Sequence, residues 1–141
     1  MGIQLDQINL VVGDMAAMAE FYGRLGLVIR PAAGEWAPHH RSARGAGADL
    51  DLDSPEFASV WDAGWPGGAG IVLGFRVEER NRVDELHAEL VAAGHASQQQ
   101  PFDAPWGARY AVVTDPDGNA VGIMSPADDS FRSPLHPPTA G

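Results

Sequence analysis

The chain has no cysteine. That excludes disulfide bonds, thiolate metal sites and a cysteine nucleophile. It also has no lysine, because all nine basic residues are arginine, which removes lysine Schiff-base chemistry. No apolar run approaches the roughly 20 residues that a membrane-spanning helix requires. The opening residues, Met1-Gly-Ile-Gln-Leu-Asp6, lack the basic start and apolar core of a secretory signal, so a cytoplasmic protein is expected. Positive charge is scarce: 19 acidic residues against 9 basic ones give a net charge of −10. Such a surface repels nucleic acid and anionic lipid and favours a cationic ligand. A plain solubility role accounts for the same charge more simply.

What is present fits one globular domain. The 141 residues are 45% hydrophobic and 20% charged, ordinary proportions that allow a sizeable core. Ile3 to Val12 reads as a strand, with Ile8, Leu10 and Val12 on one face and Leu5, Gln7, Asn9 and Val11 on the other. Asp14 is placed to cap a helix over Met15 to Leu25, with Gly26 after it. A short strand over Leu27 to Arg30 ends at Pro31, and Ala32 to Gly47 is a Gly/Ala-rich stretch expected to hold one strand. Ala48 to Asp53 alternates cleanly, Leu50 and Leu52 against Asp49, Asp51 and Asp53. Ser54 to Gly70 is a connector with a helical turn expected after Pro55.

The pattern then starts again. Ile71 to Val77 is a strand, Asn81 caps a helix over Arg82 to Ala93, Gly94 ends it, and His95 to Gln99 leads into a hairpin. Tyr110 to Thr114 and Ala120 to Met124 are its strands. Between them Asp115-Pro-Asp-Gly-Asn119 is a turn in which Pro116 presets φ and Gly118 takes a positive one. Ile8-Asn-Leu-Val-Val12 matches Leu73-Gly-Phe-Arg-Val77, and Ala48-Asp-Leu-Asp-Leu-Asp-Ser54 matches Asn119-Ala-Val-Gly-Ile-Met-Ser125. Each copy is strand, helix, then three strands. Neither buries both faces of its sheet alone; two copies can join their sheets into a curved surface with helices outside. Period two then places Gln7, Asn9, Asp49, Asp51, Asp53, Val72, Gly74, Arg76, Ala120, Gly122 and Met124 on the concave side.

This doubled pattern resembles the vicinal oxygen chelate superfamily of glyoxalases, bleomycin resistance proteins and extradiol dioxygenases. Three segments carry the resemblance: Leu5-Asp-Gln-Ile-Asn-Leu-Val-Val12, Met18-Ala-Glu-Phe-Tyr-Gly-Arg-Leu-Gly-Leu27 and Asp115-Pro-Asp-Gly-Asn-Ala-Val-Gly-Ile123. It implies an α+β fold. Two βαβββ modules, about 1–54 and 69–126 of a single domain over 1–126, form a curved mixed sheet around a concave cleft, helices on the outer face. Residues 127–141 are expected as a flexible Pro-rich tail. It also implies a homodimer. Enzymes of the family chelate a divalent metal in the cleft, and the four matching positions here read Gln7, Val72, Asp51 and Gly122. Two of these have no donor side chain, whereas a catalytic site wants about three protein ligands and an open position. No metal and no cofactor are therefore expected. His39 and His40 are adjacent, so on a strand they face opposite ways, and one of them could reach the cleft and join Asp51. For His87, His95 and His136 a structural role is favoured.

Four tryptophans, Trp36, Trp61, Trp65 and Trp106, fall in connectors or at strand starts. They either close the ends of the cleft and a dimer seam or form stacking walls for a flat ligand. Trp61-Asp-Ala-Gly-Trp65 and Pro105-Trp-Gly-Ala-Arg-Tyr110 look like the metal-free, antibiotic-sequestering branch, with mitomycin-binding resistance proteins closest in pattern. The expectation is a metal-free binding protein for a planar aromatic natural product, cationic if the aspartate row faces it. Trp65, Trp106 and Tyr110 would hold the ring, Asn9, Asp51 and Arg109 would make polar contacts, and Gln7, Trp36 and Met124 would complete the site. The alternative is a lyase, isomerase or dioxygenase of the same superfamily, either metal-dependent through His39 or His40 with Asp51, or metal-free through Arg109 or Asp51.

Overall fold

The computed structural model describes residues 2–45 and 47–134. Eight strands form one mixed sheet: β1 Gln4–Val11, β2 Arg30–Pro31, β3 His40–Ala43, β4 Asp49–Asp53, β5 Gly70–Arg76, β6 Ser97–Asp103, β7 Arg109–Thr114 and β8 Ala120–Met124. Three helices accompany them: α1 Met15–Arg24, α2 Pro55–Trp61 and α3 Arg80–Ala92. The strand order β2-β3-β4-β1-β5-β8-β7-β6 repeats one four-stranded unit about the β1–β5 junction. In each unit the first strand pairs in parallel with the last, β1 with β4 and β5 with β8. The units join through antiparallel pairing of β1 with β5, which sets Gln7 opposite Gly74 and Asn9 opposite Val72. The doubled α+β architecture expected from the sequence is therefore the one observed.

Local chemistry explains most of the boundaries. The Asp14 side chain accepts from the Ala17 amide at 3.0 Å and starts α1. Ser54 does the same for α2 through the Phe57 amide at 3.1 Å, with Pro55 in the first turn. The expected single turn after Pro55 is thus a seven-residue helix. The expected strand over Leu27 to Arg30 shrinks to the two residues of β2, because only Arg30 and Pro31 pair with β3. Helix α3 begins at Arg80, earlier than an Asn81 cap would have it, and Glu79 at its start makes no side-chain cap bond. Tertiary anchoring replaces the cap: Arg80 donates to the Gly107 carbonyl at 2.7 Å and pairs with Asp103. Pro101 lies inside β6, which a sheet edge tolerates, and the pairing with β7 slips between Gln99 and Phe102.

The core has two parts. On the outer face Val77, Ala111, Val113 and Ile123 pack with Val83, Leu86 and Leu90 of α3. On the concave face Val11, Val72, Tyr110, Val112 and Ala120 pack with Ala58 and Trp61 of α2. So α2 lies inside the curve rather than in an outlying connector. Helix α1 buries none of its residues, and Phe21 and Leu25 at its end are 58% and 68% exposed. Both expected outer helices lie against the sheet, α1 on β4 and α3 on β6, β7 and β8, and α1 covers its half less completely than α3. After Ser125 the chain stays close to the body: the Asp128 amide donates to the Gly107 carbonyl at 3.0 Å and the Ser133 amide to the Pro105 carbonyl at 3.2 Å. The predicted tail beyond residue 134 lies outside the described residues. Among those described, no helix is long and apolar enough to cross a membrane.

Candidate functional site

Curvature of the sheet leaves a cavity of about 510 Å³ on the concave side. Strands β1 and β4 direct Gln7, Asn9, Asp51 and Asp53 into it, and β3 adds His40. The loop before β3 adds Ala32, Ala33 and Trp36, α2 adds Phe57 and Trp61, and the second module adds Pro105, Trp106, Tyr110 and Met124. Arg132 and Ser133 of the C-terminal segment complete the wall. The first module supplies the polar groups and one indole, Trp36; the second supplies two rings and a thioether, and α2 between them supplies two more rings.

The rings form a continuous series. Trp36 meets Phe57 at 4.8 Å between centroids, Phe57 meets Trp106 at 6.2 Å, Trp106 meets Tyr110 at 5.8 Å and Tyr110 meets Trp61 at 6.0 Å. All are tilted or edge-on, as the ring quadrupole prefers. The Trp106 indole donates to the Met124 sulfur at 3.3 Å. The Trp61 indole nitrogen is buried without a hydrogen-bonding partner among the described residues. Burial, with the carboxylates of Asp62 and Asp53, holds the Tyr110 phenol far above its ordinary value, so it stays protonated.

At the polar end, Gln7 donates to Asn9 at 2.8 Å, Asn9 donates to Asp53 at 3.2 Å, and the other Asp53 oxygen meets His40 Nδ1 at 2.5 Å. Burial alone would lower the His40 pKa. The hydrogen bond and charge of Asp53, with the charge of Asp51, outweigh it and raise that pKa. Asp51 is pushed up to about 7, chiefly by burial and further by Asp53, Asp49 and Asp6, against the opposing charge of His40. Near neutrality this carboxyl is therefore both donor and acceptor.

Two glycines shape the floor. A Cβ on Gly74 would lie 2.7 Å from Gln7 Cγ, and one on Gly122 would lie 2.6 Å from the Tyr110 hydroxyl. Both positions are bare because a neighbouring side chain occupies the space above them. This decides the fit of a metal. Of the four positions that the resemblance matches to metal ligands, Gln7 is hydrogen-bonded to Asn9, Val72 is fully buried in the apolar core, Gly122 lies under Tyr110, and Asp51 alone offers a carboxylate. Among the described residues no group of three or more His, Cys, Asp or Glu is placed to hold a metal ion. The donor set does not suit a divalent cation.

Of the residues singled out in the sequence, Gln7, Asn9, Trp36, Asp51, Trp106, Tyr110 and Met124 share this cavity. Trp65 and Arg109 do not line it. Trp65 lies behind Trp61 at 6.0 Å, donates from its indole to the Gly68 carbonyl and covers Gly70. Arg109 reaches the other face, bidentate on Asp84 of α3 at 2.8 and 3.0 Å and bonded to Asp103 at 3.2 Å. His39 is buried on Ser54 at 2.8 Å and His87 bonds Ser97 at 2.7 Å, whereas His40 faces the cavity. His136 lies outside the described residues. Phe57 is absent from the expected walls, and Trp61, one of the four tryptophans weighed as walls, is absent from the expected site residues, although their i, i+4 spacing after the Ser54-Pro55 start signals one helix face. Arg132 and Ser133 are absent too, and no local pattern marks them.

The sequence model of the Glyoxalase/Bleomycin resistance protein/Dioxygenase superfamily matches residues 4–123. Solved structures with a similar fold include a protein described as NAD-dependent benzaldehyde dehydrogenase from Legionella pneumophila, at TM-score 0.65 and 24% identity, covering 84% of this chain and 96% of that one. The Mn(II)-bound glyoxalase from Novosphingobium aromaticivorans gives 0.61 and 18% identity over 86% of this chain and 38% of that one. An extradiol ring-cleaving dioxygenase from B. fuscum gives 0.62 and 19% over 90% and 33%. The chain thus spans 38% and 33% of the last two, and at these identities the likeness is one of fold. No curated protein sequence matches.

Proposed function

The chain belongs to the glyoxalase/bleomycin resistance protein/dioxygenase superfamily, and from that premise we propose that its concave cavity binds a planar aromatic small molecule without a metal. The observation that carries this reading is the Tyr110 hydroxyl above Gly122, where the superfamily's enzymes place a carboxylate ligand. A cavity of about 510 Å³ is within the range of small-molecule sites, and Trp36, Phe57, Trp106 and Tyr110 offer ring faces for stacking. Asp51 suits an amine or other cationic substituent. The biological role proposed is sequestration of a natural product or antibiotic in the cytoplasm, by a homodimer whose second copy covers the exposed end of α1. Nucleic acid and membrane are not partners in this reading. Titration of aromatic antibiotics against tryptophan fluorescence tests it, and absence of quenching across a broad panel would overturn it.

The second reading is an enzyme, favoured by the carboxyl of Asp51 being poised near neutrality beside His40 and Asp53. In its metal-dependent form it requires stoichiometric Fe, Mn, Ni or Zn in protein purified without chelator. Finding such a metal would sink the metal-free assignment.

A further inference from the structure

The binding reading uses rings and Asp51 but leaves the His40–Asp53 pair without a task. The two residues are register partners on adjacent strands β3 and β4. The Asp53 side chain is 2% exposed, with one oxygen on His40 Nδ1 at 2.5 Å and the other receiving the Asn9 amide at 3.2 Å. Asn9 is itself held by Gln7 at 2.8 Å. The chain of donors runs one way, so Asp53 is an acceptor and His40 Nδ1 carries the proton toward it. That leaves Nε2 for whatever enters the cavity. Phe57 meets the imidazole edge-on, with 5.7 Å between centroids at 80°, which fixes the ring. A buried carboxylate orienting an imidazole that lines a cavity is an arrangement that accepts a proton at the far nitrogen and stabilises the resulting charge.

We propose that the His40–Asp53 pair selects planar aromatics bearing an acidic hydroxyl, phenols or hydroxyquinones, and holds them as the phenolate, an inference that rests on the aromatic-binding reading of the cavity. On binding, the ligand O–H bond breaks and its proton forms an N–H bond at Nε2. The imidazolium then lies between the phenolate and the Asp53 carboxylate. No electron is transferred and nothing else is consumed; release reverses the step. The surroundings favour a hydroxyl over a stronger acid. The groups facing the ring are Asp53 and Asp51 of β4, with Arg132 and the protonated Tyr110 elsewhere on the wall. A ligand arriving as a carboxylate meets the two aspartates and a chain of net charge −10. A phenol arrives neutral and ionises only against the imidazolium. The raised affinity of His40 for protons is in the sense this step needs.

The dye 1,2-dihydroxyanthraquinone tests the proposal, because its visible spectrum reports its own ionisation. Mixed with the full chain, it is expected to quench tryptophan fluorescence. It is also expected to show its ionised band at a pH where the free dye is neutral, the transition falling by about one pH unit or more, a tenfold effect of a charge-assisted hydrogen bond. Its dimethyl ether, with no proton to give, is expected to bind about tenfold more weakly. In His40→Gln the bound dye is expected to keep its neutral spectrum. Quenching with an unshifted band in the wild-type chain overturns the role of the pair and leaves the aromatic cavity standing. An equal shift in His40→Gln does the same. Quenching by neither dye overturns both readings. The wild-type spectrum decides even if the variant fails to fold.

Discussion

The hydroxyl of Tyr110 stands over Gly122, 2.6 Å from where a Cβ would be, with two further ring atoms at 3.1 and 3.2 Å. Position 122 is thus filled from above by its neighbour on β7, and restoring a carboxylate there would require the ring to leave. Gly122→Ala is expected to cost about 1–3 kcal/mol of stability by overpacking. In a Tyr110→Phe background, which removes the nearest atom, the cost is expected to fall. A double-mutant cycle by thermal denaturation measures the coupling. An additive result would show that the two positions do not compete for space.

Stability is expected to fall as pH rises from about 4 to about 8. Asp51 is harder to ionise folded than unfolded, so its contribution is complete below the ordinary carboxyl value and is lost as pH climbs toward about 7. His40 is raised despite burial, through Asp53 and Asp51, so its contribution is complete below the ordinary imidazole value and is lost above the folded one. Asp84, lowered by the hydrogen bond from Arg109, works the other way, but it is half exposed and its effect is screened. Asp51→Asn is expected to raise stability at pH 8 by on the order of 1–3 kcal/mol and to change little at pH 4. Melting temperatures across the range check this.

Trp36→Ala and Trp106→Ala are each expected to weaken binding of an aromatic ligand by about tenfold or more. Trp65→Ala is expected to leave affinity within about twofold while lowering stability by about 2–3 kcal/mol, because its ring packs against Trp61 and Gly70 rather than the cavity. Calorimetric titration set against denaturation separates the two classes.

Arg109→Ala is expected to cost about 1 kcal/mol of stability with no change in ligand affinity, since its bonds to Asp84 and Asp103 tie β7 to α3 and β6 on the far face. A loss of affinity without loss of stability would contradict that placement.

Phe21→Asp with Leu25→Asp is expected to convert a dimer to a monomer in light scattering, if the second copy covers the end of α1 that the chain itself leaves bare. An unchanged mass would place the dimer contact elsewhere.

Much of the fold is legible in short-range chemistry. Asp14, Ser54 and the Asp115 to Asn119 turn mark boundaries by local hydrogen bonds, and period two sorts Gln7, Asn9 and Asp51 onto the face they occupy. Gly122, with no side chain to ligate anything, is visible opposite Asp51 in the aligned repeat. What is not legible depends on partners far away in the chain. Arg109 looks like a cleft residue until Asp84, 25 positions earlier, takes it. Asp53 looks like one of three equivalent aspartates until His40 and Asn9 claim its two oxygens. Arg132 belongs to a segment with no periodic pattern, brought to the cavity by backbone bonds to Pro105 and Gly107 and by Arg80 over Phe131 at 3.6 Å.

The β1–β5 junction runs beneath the cavity, with Asn9 on one side paired to Val72 on the other. A molecule reaching from the His40 end to Met124 lies across that junction like a splint. Ligand should therefore slow hydrogen–deuterium exchange of the β1 and β5 amides more than that of β6, at the far edge of the sheet. It should also make the two halves melt as one. The same geometry gives the occupant a fixed heading, with its hydrogen-bonding end toward His40 and Asp51 and its apolar end toward Trp106 and Met124. Two regioisomers of one ring system should then differ in affinity even where their size and solubility are equal.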